Sequence, residues 1–305
     1  MKENDTPSSR PVTIADFKNA RQEGRRIAMI TAYDTPSARL ADSAGVDAIL
    51  VGDSIGRNVL GMPDELPVTM DDMVRATQSV VRGTKRAMVI ADMPFGSYQC
   101  GEDEAVTNAV RLVKEGGAHA VKLEGAGRVI DVIERLVDAG IPVMGHVGFT
   151  PQSVHALGGP RVQGRDRETA QNVLDGARRL QSAGAFAVVL ELVPISLAGL
   201  ITNSISIPTI GIGSGPACDG QVQIWHDVLG LSEHLYRHVR RYADLNTIIR
   251  EALSNYVLDV SSAQFPTHEH AVRIEHTVLE GLDADERYPD NKRSEPLDEG
   301  GPSDD

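Results

Sequence analysis

Cysteine is scarce in this sequence, and so are aromatic residues. Two cysteines, Cys100 and Cys218, cannot form a framework of several disulfides. We therefore expect a reduced, cytoplasmic protein in which both cysteines are small packing residues. Aromatic residues make up 4% of the chain and apolar residues 41%, so aliphatic side chains must fill the core.

Long apolar runs are absent as well. No stretch reaches the roughly 18 apolar residues that a membrane-spanning helix needs. The opening residues, MKENDTPSSRP, are polar and lack the apolar segment of a signal peptide. We expect a protein that does not cross a membrane and carries no secretory signal.

Positive charge is also in short supply. The formal net charge is −13, and six lysines stand against 24 arginines. Residues 271–305 hold 11 acidic and four basic residues, which gives −7, and residues 1–270 carry the other −6. Such a chain, without a basic patch, is not expected to bind nucleic acid. An excess of acidic residues with few lysines is expected in a high-salt cytoplasm, where salt weakens the repulsion between charges. A GC-rich genome, which favours arginine, together with one acidic tail explains this composition equally well.

Eight short apolar runs are present, and they predict strands buried on both faces. Helical patterns fall between them. An Ala-Gly pair followed closely by the next strand recurs at 44–48, 139–143 and 183–187, as expected where glycine ends a helix. The runs cover residues 26–34, 46–54, 86–95, 118–125, 141–148, 185–193, 207–215 and 222–230.

Eight strand–helix units in about 250 residues predict a (β/α)8 TIM barrel. The alternative is a doubly wound open sheet, which usually has fewer strands at this length. We expect a disordered N-terminus at 1–10, the catalytic barrel at 11–270, and an acidic, mostly disordered tail at 271–305. A helix over 13–23 is expected to close the bottom of the barrel.

Carboxylates fall at the predicted ends of three consecutive strands. Active sites of such barrels lie at these C-terminal strand ends. Asp53 and Asp92 are 39 residues apart, and Asp92 and Glu124 are 32 apart, about one strand–helix unit each. Three converging carboxylates repel one another, and Lys122 can offset only part of that charge. Because Mg²⁺ prefers oxygen ligands, the pattern predicts a magnesium site, although Asp53 alone could be a helix cap.

Other polar residues are expected at the same edge. Ser54 could donate its hydroxyl or amide to a bound carboxylate. Glu191, in an otherwise apolar run, is either a general base or a salt-bridged structural residue. His146 is either a pocket residue or a satisfied buried histidine.

The last two runs and one loop add further candidates. The glycines of GIGSG, 211–215, either cradle a phosphate or serve packing. His226 and Asp227 are placed on strand eight. The glycine-rich segment 155–165 is either a lid or an ordinary loop.

Taken together, the motifs are more specific than any one of them. In chain order they are TAYD (31–34), VGDSIG (51–56), ADMPFGSY (91–98), VKLEG (121–125), GHVGFTPQS (145–153), LELVP (190–194), GIGSG with CDGQ (211–221) and HDVLG (226–230). From about residue 11 to about residue 270, the sequence resembles the ketopantoate hydroxymethyltransferase family. The acidic tail lies outside the resemblance.

The resemblance implies a barrel of the phosphoenolpyruvate/pyruvate-type superfamily. It implies transfer of a hydroxymethyl group from 5,10-methylenetetrahydrofolate to 3-methyl-2-oxobutanoate through a Mg-stabilised enolate. The product would be 2-dehydropantoate, for pantothenate and coenzyme A biosynthesis. The enzyme would be a cytoplasmic homo-oligomer, and the family is often decameric.

The resemblance also implies roles for individual residues. The implied metal ligands are Asp53, Asp92 and Glu124, the last able to act through water. The implied substrate-binding residues are Asp53, Ser54, Asp92 and Lys122. Glu191 is the implied proton acceptor, and His146 lines the same pocket.

Two other functional classes remain open at this point. A Mg²⁺-dependent carbon–carbon lyase or phosphomutase on the same barrel would keep the carboxylates and ignore folate. A non-catalytic metal-binding scaffold could tolerate loss of Glu191 but not of core packing, and the presence of Glu191 and Lys122 counts against it. A methanopterin could replace folate if the source is archaeal. The sequence leaves open the oligomer size, the preferred ion and the role of the tail.

Overall fold

The computed structural model describes residues 10–234 and 236–282. Within them, eight parallel strands pair in chain order, and the first also pairs with the eighth, so the sheet closes as a barrel. The predicted fold class is confirmed. The strands are β1 Ile27–Thr31, β2 Ala48–Val51, β3 Met88–Asp92, β4 Ala120–Lys122, β5 Val143–Gly148, β6 Ala187–Glu191, β7 Thr209–Ile212 and β8 Gly220–Gln223.

Helices lie between most of the strands. Thr69 caps the N-terminus of the helix Met70–Gly83, which lies before β3. Its side chain accepts a hydrogen bond from the Asp72 amide, and the Asp72 carboxylate accepts one from the Thr69 amide, which together form a capping box. The helices are α1 Ile14–Gln22, α2 Thr35–Ser43, α3 Ile55–Asn58, α4 Met70–Gly83, α5 Glu102–Lys114, α6 Val129–Asp138, α7 Val154–Leu157, α8 Arg167–Ser182, α9 Ile195–Ser204, α10 Trp225–Val228 and α11 Leu245–Ser261.

The core has two apolar layers. One fills the barrel interior and includes Met29 and Met144, and the other lies between strands and helices and includes Leu112 and Leu180. Helix α1 belongs to the inner layer. Its Phe17 is 1% exposed, and the ring meets Phe186 edge-on with centroids 5.5 Å apart. The expected helix at the barrel bottom is thus present.

The connection from β7 to β8 departs from the predicted repeat. The described residues 213–219 contain no helix, so the seventh unit is a strand and a loop. The eighth run also differs, because β8 ends at Gln223 and the rest of the run enters α10. The placement of His226 and Asp227 on strand eight is therefore wrong.

Two close contacts lie at or near the ends of β8. A Cβ on Gly220 would lie 2.6 Å from the carbonyl oxygen of Ile27, so only glycine allows the strand to begin this close to β1. At the other end, the Trp225 amide donates to the Thr31 hydroxyl at 3.0 Å. This bond holds the chain after β8 against Thr31, the last residue of β1.

The chain divides into two compact units between Ile248 and Ile249. The first holds the barrel, and the second holds most of α11 and two short 3₁₀ turns. None of the described helices is long and apolar enough to span a bilayer. The disorder expected at 1–10 and 271–305 falls mainly on residues 1–9 and 283–305, outside the described residues. The boundary expected at 270 stays a prediction.

Candidate active site

A continuous series of ionisable side chains follows the C-terminal ends of β2 to β6. Strand register brings it together, because Asp92 pairs with Lys122 and Gly148 pairs with Glu191 across neighbouring strands. Six of the ionisable residues expected at this edge are in the series, and His226 and Asp227 lie outside it. In strand order the six are Asp53, Asp92, Lys122, Glu124, His146 and Glu191.

The acidic end of the series surrounds one buried ammonium group. Lys122 Nζ lies 2.9 Å from Asp92 Oδ1 and 3.8 Å from Glu124 Oε1. The backbone amide of Asp53 donates to Asp92 Oδ2 at 3.1 Å. All four residues are buried. Lys122 therefore has carboxylates around it at ion-pair distance, in surroundings where charges are poorly screened.

His146 connects this cluster to Glu191. Its Nδ1 lies 3.4 Å from Glu124 Oε1, and its Nε2 lies 3.3 Å from Glu191 Oε2. Neither contact has hydrogen-bond geometry, so both are ion pairs. Burial alone would lower the pKa of His146, but the two flanking carboxylates outweigh it and raise the pKa to about 9. The ring is thus an imidazolium between two carboxylates at neutral pH.

On Asp53, burial and the neighbouring carboxylates act in the same direction, whereas on Glu124 and Lys122 burial and charge oppose each other. Burial, followed by the charges of Asp92 and Glu124, raises the pKa of Asp53. Burial opposes ionisation of Glu124, yet His146 and Lys122 lower its pKa. Burial would also lower the pKa of Lys122, but the surrounding carboxylates raise it above its usual range. The charge of ionised Asp53 is therefore poorly compensated by the protein.

The series carries an excess of negative charge that suits a divalent cation. Its four carboxylates face two cations, Lys122 and His146, so the fully ionised set carries −2. Asp92 Oδ1 is buried and, despite its contact with Lys122, has no hydrogen-bond donor among the described residues. In the part of the chain that the structure describes, no three His, Cys, Asp or Glu side chains are arranged to coordinate a metal ion by themselves. Mg²⁺ fits, because it often takes one or two carboxylates and completes its shell with water and substrate oxygens.

Ser54 lies beside Asp53 and is oriented by a residue that sequence reasoning missed. The hydroxyl groups of Tyr33 and Ser54 are 2.8 Å apart. Burial raises the pKa of Tyr33, so its hydroxyl keeps its proton and remains available as a donor. Tyr33 falls in the TAYD motif after β1, and that position was the available signal.

Gln152 and Tyr98 were also missed. Gln152 Nε2 donates to Asp53 Oδ2 at 2.7 Å, and the Tyr98 hydroxyl donates to Gln152 Oε1 at 2.6 Å. Both residues lie in motifs quoted above, GHVGFTPQS and ADMPFGSY. Neither is ionised at neutral pH, so a search for charged strand ends passes over them.

The series opens into a cavity of about 800 Å³. Its wall includes Ser54, Glu191, His226 and Asp227. His226 is therefore close to the site although it lies on α10, and the Tyr33 and His226 rings have centroids 5.6 Å apart. One residue of the expected lid, Pro160, also reaches the wall, while closure of that segment stays a prediction.

Packing and backbone contacts explain the GIGSG segment. Ser214 Oγ donates to the Leu190 carbonyl at 2.7 Å and accepts from the Val193 amide at 3.0 Å. A Cβ on Gly213 would lie 2.7 Å from Leu192 Cδ2. The hydroxyl is thus engaged by the protein itself, which favours packing over a phosphate cradle.

Comparison with solved structures supports the fold. A phosphonopyruvate hydrolase, solved with oxalate and Mg²⁺, superposes with a TM-score of 0.56 at 12% identity, covering 88% of this chain and 94% of that one. A 2,3-dimethylmalate lyase of the PEP mutase/isocitrate lyase superfamily gives 0.51 at 17% identity, covering 69% and 78%. At these identities the likeness concerns the fold alone, and it agrees with the expected barrel.

Sequence comparison reaches further. The model of the family described as ketopantoate hydroxymethyltransferase matches residues 11–268. The 3-methyl-2-oxobutanoate hydroxymethyltransferase of Carboxydothermus hydrogenoformans is 55% identical over 272 residues, which cover 89% of this chain and 99% of that protein. The resemblance carried by the motifs is thereby confirmed, and the chain belongs to the ketopantoate hydroxymethyltransferase family of transferase enzymes.

Proposed function

We propose that this chain transfers a hydroxymethyl group from 5,10-methylenetetrahydrofolate to 3-methyl-2-oxobutanoate, giving 2-dehydropantoate. The observation that carries the proposal is the series from Asp53 to Glu191, buried except for Glu191, with its excess charge of −2 and its access to the cavity. In this proposal Asp53, Asp92 and Glu124 hold Mg²⁺. A bound Mg²⁺ would act as a Lewis acid that polarises the keto group of the substrate.

Glu191 is assigned as the proton acceptor because it is the most accessible carboxylate of the series. Its side chain is 19% exposed, against 3% for those of Asp92 and Glu124. Glu191 lines the cavity, and its Oε2 lies 3.3 Å from His146 Nε2. Glu191 can therefore reach the C3 proton of a bound keto acid, while His146 orients its carboxylate.

Ser54 and Lys122 are assigned to substrate binding. Both line the cavity beside Asp92. The Ser54 hydroxyl, with Tyr33 as its partner, can donate to the substrate carboxylate. Lys122 neutralises part of the negative charge around a bound anion, and its buried ammonium group is fixed between carboxylates rather than free to move.

The cavity leaves room for the one-carbon donor. Its volume of about 800 Å³ lies in the range of pockets that enclose drug-sized ligands, and a small branched keto acid would fill only part of it. The remaining space supports a second, larger ligand such as the folate. A methanopterin is the alternative donor, and competition between the two carriers would distinguish them.

Assembly into a cytoplasmic homo-oligomer is also part of the proposal. Within the second unit, α11 exposes apolar side chains, including Leu253, Tyr256 and Val257, each more than half exposed. Exposed apolar faces of this kind often mark contacts with other chains. Light scattering coupled to gel filtration should show a mass above that of one chain. A monomer would contradict this part of the proposal.

Product formation tests the proposed reaction. The purified chain is incubated with Mg²⁺, 3-methyl-2-oxobutanoate and 5,10-methylenetetrahydrofolate, and 2-dehydropantoate is followed by NMR. We expect turnover by the wild type and by the control Glu134→Gln, which changes an exposed glutamate on α6. Glu191→Gln should lose roughly 10²–10⁴-fold in rate, the usual contribution of a general base. No product from the wild type, or full activity of Glu191→Gln, would contradict the assignment.

A further inference from the structure

Gln152 ties together residues from three strand ends. It lies in a 3₁₀ turn after β5, Pro151–Ser153, and is 5% exposed. Its side-chain Nε2 donates to Asp53 Oδ2 at 2.7 Å and to the Met93 carbonyl at 2.9 Å. Its backbone amide donates to Glu124 Oε2 at 3.0 Å. One residue thus holds the two carboxylates that follow β2 and β4, and the backbone that follows β3.

Tyr98 fixes which way the Gln152 amide points. The Tyr98 oxygen accepts a hydrogen bond from the Glu124 amide at 3.2 Å, so its own proton is free for Gln152 Oε1. The nitrogen end of the amide then faces two acceptors, on Asp53 and Met93. The flipped amide would place its oxygen against both acceptors, so the network allows one orientation.

The network acts on each carboxylate through one oxygen. Asp53 is held through Oδ2 and Glu124 through Oε2. A neutral amide donor stabilises the ionised form of Asp53 next to Asp92 without adding a cation to the cluster. The other oxygen of each carboxylate is not engaged by Gln152.

We propose that Gln152 is a positioning residue that sets the metal affinity of the site by orienting Asp53 and Glu124. The inference rests on the proposed function, since it takes these two residues to be metal ligands. Loss of a hydrogen-bond partner behind a metal ligand typically lowers metal affinity 10–100-fold. Gln152 does not need to touch the metal to have this effect.

Binding of Mn²⁺, measured by electron paramagnetic resonance on the metal-free full-length chain, tests the proposal without any turnover. Gln152→Met keeps the length of the side chain and removes the side-chain bonds to Asp53 and Met93, while the backbone bond to Glu124 stays. We expect its Kd for Mn²⁺ to rise by about tenfold or more, because Asp53 loses its orientation. Tyr98→Phe removes the bond that orients the amide and the bond accepted from the Glu124 backbone, but it leaves the bonds from Gln152 to Asp53 and Glu124 in place, so a smaller rise is expected. The spectrum of bound Mn²⁺ should change in Gln152→Met, because the orientation of its ligands changes.

Gln181→Met is the matched control. Gln181 is half-buried at the end of α8, where its side chain accepts hydrogen bonds from Ser206, so its loss affects packing but not the carboxylates. Its Kd for Mn²⁺ should equal that of the wild type. Urea unfolding of each metal-free variant shows how far stability alone has changed.

The outcomes separate this inference from the proposed function. If the wild type binds Mn²⁺ and both Gln152→Met and Tyr98→Phe bind it with the same Kd, the positioning role alone is overturned. Absence of Mn²⁺ binding by the wild type would overturn both the metal role in the proposed function and this inference. If Gln152→Met does not fold, Tyr98→Phe decides, and wild-type affinity in that variant would refute the proposal.

Discussion

Gly148, the last residue of β5, is expected to control the position of the proposed base. Its backbone is left-handed, with φ of +100°. A Cβ there would overlap the carbonyl oxygen of Glu191 and lie 2.7 Å from Val193 Cγ2. The same carbonyl accepts a hydrogen bond from the Phe149 amide at 2.8 Å. Because a paired backbone group is in the way, Gly148→Ala must displace the end of β6 that carries Glu191.

Two costs add in Gly148→Ala. A left-handed backbone costs a non-glycine residue about 1–2 kcal/mol, and overpacking a filled site costs about 1–3 kcal/mol. The free energy of unfolding should therefore fall by about 2–5 kcal/mol. Gly140→Ala is the matched control, since Gly140 has φ of +82° and a Cβ there would meet no atom within 4 Å. Gly140→Ala should therefore lose only the roughly 1–2 kcal/mol that the left-handed backbone costs.

Urea unfolding of the two variants measures the difference, and turnover shows whether Glu191 has moved. We expect Gly148→Ala to be less stable than Gly140→Ala and to have a lower kcat, because displacement of the Glu191 backbone misplaces its carboxylate. Equal stability of the two variants, with wild-type kcat in Gly148→Ala, would refute the argument that this contact is rigid.

Two further predictions follow from buried groups. Lys122→Met should lower the free energy of unfolding of the metal-free protein by about 3–5 kcal/mol in urea unfolding, because Asp92 and Glu124 lose their buried cation; unchanged stability would show that Lys122 does not compensate them. Titration with a thiol reagent should find one fast-reacting thiol per native chain, that of the exposed Cys100. Cys218 is 1% exposed and burial raises the pKa of its thiol, so it should react only after unfolding. Two fast thiols in the native protein would contradict this.

The fold was largely predictable because strands β2 to β7 are buried along nearly their whole length. Each of the first seven apolar runs contains one strand, and short runs of Val, Ile and Ala leave little ambiguity there. The prediction from the eighth run was wrong because its apolar residues belong to two elements, β8 and α10. Periodicity cannot separate a short strand from a short helix within nine residues, and the chain after β8 contacts Thr31, which is far away in the sequence.

The charged residues of the site were predictable for a related reason. Charges such as Asp92 and Glu191 interrupt or end apolar runs, where a charge without a role would be costly. Gln152 gave no such signal, because it is neutral and lies in a loop. Its partner Asp53 is 99 residues away, and only the closed barrel brings the two together.

Deuterium exchange at C3 of 3-methyl-2-oxobutanoate, followed by NMR in D₂O, tests the central claim most directly. The sample contains Mg²⁺ and high KCl but no folate, and wild type, Glu191→Gln, Asp92→Ala and Glu134→Gln are compared. The account predicts rapid exchange by wild type and Glu134→Gln, and loss of exchange in Glu191→Gln and Asp92→Ala, because deprotonation needs both the base and the metal site. Exchange by Glu191→Gln at the wild-type rate would contradict the claim that Glu191 removes this proton.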